Sequence, residues 1–183
     1  MQRFWHYGYA ATSIDDLVKA TGVSRHGIYS DVGGKRDLFL AGFAAYRDTV
    51  VAPALAAMEI GGTSAPGLGG IRAYFETQIK LAERIGLPGP GCLVANAMTE
   101  TAPHDEGIAT KVAAHNQRLT EAFENALRSA APNLYDKDLA SLGAFLTLTA
   151  QGLWSISRTT DQASVLYDYV GTLLDLLEQR IAA

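Results

Sequence analysis

The residues from Ala11 to Leu38, ATSIDDLVKATGVSRHGIYSDVGGKRDL, read as two short helices joined by a tight glycine-containing turn, with a basic helix start directly after them. Thr12 or Ser13 can cap the first helix, each with an acid three residues on (Asp15, Asp16), where a carboxylate suits both a capping box and the positive helix end. Ile14, Leu17 and Val18 then give one apolar face. Gly22 supplies the backbone freedom that a sharp turn needs, Val23 is expected to plug the gap between the helices, and Ser24 caps the second helix. With Ile28 facing inward, Arg25, His26, Gly27, Tyr29 and Ser30 fall near the exposed side. They offer hydrogen-bond donors and a small residue that allows close approach to a groove, the sequence form of a helix-turn-helix reader of DNA.

The runs FWHYGYAATSIDDL (4–17), TGVSRHGIY (21–29) and KRDLF (35–39) resemble the TetR family of bacterial transcriptional regulators. Gly8, Thr12 through Leu17, Gly22-Val23-Ser24, Tyr29 and Lys35 fall on that family's pattern position for position. The resemblance is close over roughly the first quarter of the chain. It continues in helical length and layout, and G-C-L-x-x-N at 91–96 is similar to one subgroup of the family. It implies an all-α protein, a three-helix head followed by a larger helical domain. The implied function is that of a homodimeric repressor, not an enzyme, whose larger domain binds a ligand and thereby releases an operator. Two positions depart from the pattern. The family usually has a longer first helix with basic residues ahead of it, whereas Gly8 lies only a turn or two from Met1. A stub there is expected to lack apolar packing against the reading helices and some phosphate contacts. Asp31-Val32 stand where the family tends to place aromatic residues, which puts a mildly repulsive acid near phosphate and a smaller plug behind it.

Arg25 and His26 are the candidates for base-edge contact, Tyr29 and Lys35 for phosphate, with Ser24 and Gly27 allowing close approach and Ser30 on the same side. The alternatives are that Tyr29 packs within the head and that Lys35 is a solvated helix start. The formal net charge of −4 divides unevenly. Residues 1–46 carry five Lys/Arg against four Asp, or +1, and residues 47–183 carry ten against fifteen Asp/Glu, or −5. A weakly positive head on an acidic body favours modest, salt-sensitive binding to double-stranded DNA. The same division gives the expected domains: a DNA-binding head over 1–46 and a ligand-binding and dimerisation body over 47–183.

With 183 residues, 48% of them hydrophobic, the chain can bury a good core. No apolar run is read as long enough for a membrane span and no signal-peptide pattern opens the chain, so a cytoplasmic protein without membrane partners is expected. The single cysteine, Cys92, excludes an internal disulfide and any cysteine-rich zinc site, and nothing calls for a metal or cofactor. Lys35 to about Met58 reads as a long connector helix with Leu38, Phe39, Phe43, Tyr46 and Val50 inward, kinked or ended by Pro53. Gly61–Gly67 reads as a loop. Helices follow over Ile71–Ile85, about Cys92–Thr101, Glu106–Ala130, about Lys137–Thr159 and Asp161–Ala182. The last carries Val165, Leu166, Tyr169, Val170, Leu173, Leu174, Leu177 and Ile181, a row wider than one partner helix needs. Leu142, Phe145, Leu146, Leu153 and Ile156 recur on the helix before it. Such a pair can join its two-fold copy in a four-helix bundle, or fold both stripes into a monomer's own core.

Within the apolar body a few polar groups suit a small-molecule effector, apolar or weakly polar: Gln78 near Tyr74, Asn96, His115, and Gln151 beside Trp154. Each can instead be a satisfied core group, and for His115 a histidine bonded to a backbone carbonyl is the stronger reading. Cys92 follows a Gly-Pro-Gly loop at a helix N-terminus, where the dipole is expected to lower a thiol's pKa and suit an electrophile or redox sensor. Packing as a small hydrophobe is the alternative. A Cys92–His115 nucleophile pair lacks a third orienting group, so an enzyme is disfavoured. A ligand-binding helical dimer with lost or weak DNA binding remains a rival to the regulator.

Overall fold

The computed structural model describes residues 1–56, 58 and 68–182. Four helices make the amino-terminal part: α1 (Gln2–Tyr7), α2 (Ile14–Thr21), α3 (Arg25–Val32) and α4 (Lys35–Tyr46). A π-helical turn, Arg47–Val51, continues α4, and the helical stretch runs unbroken to Ala56. Five more helices follow: α5 (Leu68–Ile85), α6 (Leu93–Glu100), α7 (Glu106–Ala130), α8 (Asp136–Ile156) and α9 (Ala163–Ala182). There is no strand among the described residues, and the all-α architecture expected from the sequence is the one observed. The glycine-rich loop expected at 61–67 lies outside the described residues.

Ser13, not Thr12, caps α2. Its hydroxyl accepts from the Asp16 amide at 3.1 Å while the Asp16 carboxylate accepts from the Ser13 amide at 2.9 Å, a complete capping box. Thr12 is buried and donates back to the Gly8 carbonyl at 2.7 Å. Gly22 closes the helix in the left-handed region, φ +73°, and Ser24 caps α3 by accepting from the Gly27 amide at 3.0 Å. Ile28 and Leu17 are buried between the two helices. Val23 corrects its expectation: it is 41% exposed and lies over Gly27 rather than plugging the interior.

The short first helix is also better packed than expected. Phe4 and Trp5 are both buried. Phe4 meets Phe39 edge-on at 5.2 Å, Trp5 meets Tyr46 edge-on at 5.0 Å, and the Trp5 indole N–H donates to the Gly91 carbonyl at 2.8 Å. Two aromatic residues and one long-range hydrogen bond therefore tie six residues of helix to α4 and to the loop before α6.

Phe39, Phe43 and Tyr46 of α4 are buried as expected, whereas Leu38 and Val50 are only partly so. Pro53 does not end the helix. The Ala52 amide bonds the Arg47 carbonyl, and the extra residue of this widened turn, directly ahead of Pro53, offsets the ladder enough to take the ring. Two helical stretches, Lys35–Ala56 and Asp136–Ile156, are long and apolar enough by composition to cross a bilayer, against the sequence expectation that none is. Each places several large residues in the core, Phe39, Phe43 and Tyr46 from the first and Leu146, Leu153 and Trp154 from the second, while Phe145, Leu148 and Ile156 of the second are exposed.

In the body, Phe75 of α5 stacks on Phe123 of α7 at 5.9 Å with Tyr74 edge-on to each. Two further links join body to head. The Glu100 carboxylate accepts from the Tyr9 and Ala10 amides at 2.9 and 2.8 Å. It lies so close to Gly8, φ +81°, that a Cβ there would sit 2.9 Å from Oε2. Arg36 makes a two-pronged ion pair with Asp105, at 2.6 and 2.9 Å, just where Asp105 caps α7.

Candidate DNA-reading head and effector chamber

Ser24, Arg25, His26, Tyr29 and Ser30 are exposed on α3, and Gly27 is half-exposed among them. Buried Ile28 fixes the rotation of the helix, so these residues share the outward side for a packing reason. Arg25 is not free: its guanidinium holds Asp15 of α2 at 2.6 Å, an exposed pair. Ser30 donates to its neighbour Asp31 at 2.6 Å. Tyr29 is 53% exposed, with its ring against Gly34, and Lys35 holds its ammonium 4.3 Å over the Tyr9 ring. Arg3 pairs with Asp16 at 3.3 Å, so three of the five cations of residues 1–46 are engaged by carboxylates.

A second feature lies in the body. Tyr74, Gln78, His115, Gln151 and Trp154, five of the six candidate ligand residues, converge on one small chamber that Tyr46 and Cys92 also line. Its free volume is about 10 Å³. Asn96 is elsewhere: its Nδ2 donates to the Pro90 carbonyl at 2.8 Å and it acts as a buried brace of the loop. Burial first, and the nearby Arg118 second, press the His115 pKa down to about 4, so the imidazole is neutral at neutral pH. Burial pushes the Tyr74 hydroxyl pKa up, with the Trp154 indole opposing it.

Cys92 caps α6 and is 6% exposed. Burial raises its pKa, and the amides of Ala95 and Val94 and the Tyr46 hydroxyl offset this only in part. The expected lowering by the helix end is thus overturned by desolvation.

Outside the chamber, between α4 and α7, a groove of about 300 Å³ is lined by Phe43, Val51 and Leu55 together with Arg47, Lys111 and Arg118. These three cations escaped the sequence reading because a basic residue on an amphipathic helix reads as solvated. Tyr46 escaped it because its periodicity signalled core only. Among the described residues no cluster of histidine, cysteine and carboxylates could hold a metal ion.

Residues 1–41 match the family described as bacterial regulatory proteins, tetR family. The chain is 29% identical over 179 residues to YezE of Bacillus subtilis, an uncharacterized HTH-type transcriptional regulator, covering 96% of this chain and 90% of that one. The crystal structure of the regulatory protein TetR from Rhodobacter sphaeroides superposes with a TM-score of 0.82 at 21% identity, covering 94% of this chain and 92% of that one. A cysteine mutant of the TetR family regulator CifR, complexed with 26-base-pair operator DNA, superposes at 0.76 with 22% identity, covering 94% and 89%. A helix-turn-helix head on a helical body, matched in sequence over residues 1–41 and in fold throughout, makes this chain similar to the TetR family of bacterial transcriptional regulators.

Proposed function

We propose that the protein is a homodimeric repressor that binds operator DNA through α3 and leaves it when a small molecule occupies the chamber. The outward set on α3 carries this reading: Arg25 and His26 toward base edges, Tyr29 and Lys35 toward phosphate, Ser24, Gly27 and Ser30 at the surface of closest approach. The head over residues 1–46 and the body over 47–183 meet where α4 passes into its π-helical turn. CifR, of similar fold, is complexed with operator DNA in its own structure.

Dimerisation is supported by an apolar face left open on the last two helices. Phe145, Leu148 and Ile156 of α8 and Val165, Tyr169 and Leu176 of α9 are all exposed, at helical spacing. Pairing with a two-fold copy covers that face and sets two reading helices at the one-turn DNA spacing of about 34–36 Å. An effector that prefers a different separation lowers operator affinity by the ratio of its affinities for the two states.

The test is fluorescence anisotropy with DNA from upstream of the protein's own reading frame, at low and moderate salt, with Arg25→Ala as control. Sequence-specific binding that the variant loses supports the reading. Binding that is absent, or unaffected by the variant, favours a helical ligand-binding dimer without operator function. The buried, pKa-raised thiol argues against Cys92 as the primary sensor of an electrophile or oxidant.

A further inference from the structure

Gln151 is 5% exposed, and its amide is only half satisfied. Nε2 donates to Asn116 Oδ1 at 2.9 Å, whereas Oε1 is fully buried and has no hydrogen-bond partner among the described residues. A buried carbonyl without a donor is costly, and native proteins rarely leave one so. The chamber it lines, about 10 Å³, is at the lower limit of what a single water needs. An orphaned acceptor in so small a chamber asks for a donor that arrives with a ligand.

The approach to it is differently made. Val51, His115 and Leu119 line both the chamber and the groove between α4 and α7, and so form their shared wall. Lys111, His115 and Arg118 stand four and three residues apart, on one face of α7. Arg47 is engaged by Asp48 at 2.9 Å, but Lys111 and Arg118 have no carboxylate partner among the described residues. The groove is thus apolar inside, at Phe43 and Leu55, and cationic at its rim.

We propose that groove and chamber are two ends of one site, which takes an organic carboxylate bearing a hydroxyl at its far end. The acid lies on Lys111 and Arg118, the apolar body runs past the shared wall, and the hydroxyl donates to Gln151 Oε1. Neutral His115 lets that body pass without burying a charge. The inference rests on the effector reading above and narrows it: the weakly polar character expected from sequence belongs to the inner end only. It also gives the ligand a grip on the reading head. Val51 is the last residue of the π-helical turn that follows Tyr46, so parting the wall moves the widened turn of the helix that leads to α3.

The two tryptophans of the chain report on the site, Trp154 from the chamber and Trp5 from the crevice beside it. Tryptophan fluorescence is followed while para-hydroxyphenylpropanoate, phenylpropanoate and methyl para-hydroxyphenylpropanoate are titrated into the full chain without DNA. The hydroxy acid is expected to bind roughly tenfold more tightly than either the compound lacking the hydroxyl or the one lacking the charge. Gln151→Leu erases the hydroxyl preference and keeps the charge preference. Lys111→Gln with Arg118→Gln, both at exposed positions, does the reverse and guards against a misfolded core variant. Equal binding of acid and ester, equal binding with and without the hydroxyl, or no saturable signal from any of the three at millimolar concentration overturns the proposal. Binding that follows the expected order but leaves operator affinity unchanged keeps the site and removes the release reading instead.

Discussion

The indole N–H of Trp5 donates to the Gly91 carbonyl at 2.8 Å, eighty-six residues away, while the same ring lies edge-on to Tyr46 at 5.0 Å. One side chain thus joins the amino-terminal helix, the connector helix and the loop ahead of α6. Trp5→Phe keeps most of the ring contact but leaves a carbonyl without its donor. The expected cost is about 1–3 kcal/mol in urea denaturation. A loss below about 0.5 kcal/mol, the range of an ordinary surface change, rules out the tie as a structural determinant.

The local half of this fold was legible, and the long-range half was not. Ser13 and Asp16 announce a helix start by spacing alone, Ile28 announces its burial by period, and the bounds Glu106–Ala130 follow from apolar recurrence. Trp5 with Gly91, Glu100 with the Tyr9 and Ala10 amides, and Arg36 with Asp105 join residues from sixty-nine to ninety-one positions apart. No periodicity encodes such pairs. Pro53 misled because its missing donor matters only in a regular α-ladder, and the turn before it is π-helical. The sequence grouped five of the chamber's residues but not the cationic groove beside it.

Cys92 tests whether burial outweighs the helix end. Its thiol is closed off and its pKa raised, so at neutral pH its thiolate is both scarce and shielded. Iodoacetamide is expected to modify the folded protein at least about tenfold more slowly than the chain in denaturant. Equal rates mean that the thiol opens readily and restore the sensor reading.

The Arg36–Asp105 pair carries a pH signature. The Arg36 guanidinium, followed by the Ile108 amide, holds the Asp105 pKa down to about 2, below the ordinary carboxylate value of about 3.9. A depressed folded pKa contributes stability that is complete above the unfolded pKa and is lost as pH falls through the folded one. Asp105→Asn is therefore expected to lower the denaturation midpoint at pH 7, and the gap to the parent protein should close between about pH 4 and pH 2. A gap that stays constant over that window shows that the cap, not the charge, supplies the effect.

In the proposed operator complex Arg25 would meet DNA only by leaving Asp15, its partner at 2.6 Å. Both groups are more than half exposed, so solvent screens the pair and the exchange costs little, up to about 1 kcal/mol. Asp15→Asn removes that cost along with a negative charge beside the reading helix. It is expected to tighten operator binding about fivefold at low salt and less at high salt. Arg25→Ala is expected to weaken it by about 1–3 kcal/mol. If Asp15→Asn weakens binding, the acid orients Arg25 rather than restraining it.

The open face of α8 and α9 provides the sharpest test of assembly. Leu148 is 71% exposed and Leu176 is 56% exposed, far from the reading head in sequence, with exposed Phe145 one turn before the first and exposed Tyr169 two turns before the second. In a monomer these side chains already face water, so Leu148→Glu with Leu176→Glu leaves its stability nearly unchanged. In a dimer built on this face the same pair buries four uncompensated carboxylates about the two-fold axis and dissociates it. Sedimentation equilibrium is expected to give twice the 19.5 kDa chain mass for the parent protein and the single mass for the variant. Operator affinity should fall with it, since separated heads no longer share one binding event and each loses the effective concentration of its partner. A variant that remains dimeric places the interface elsewhere, and one that becomes monomeric yet binds DNA unchanged shows that a single head suffices.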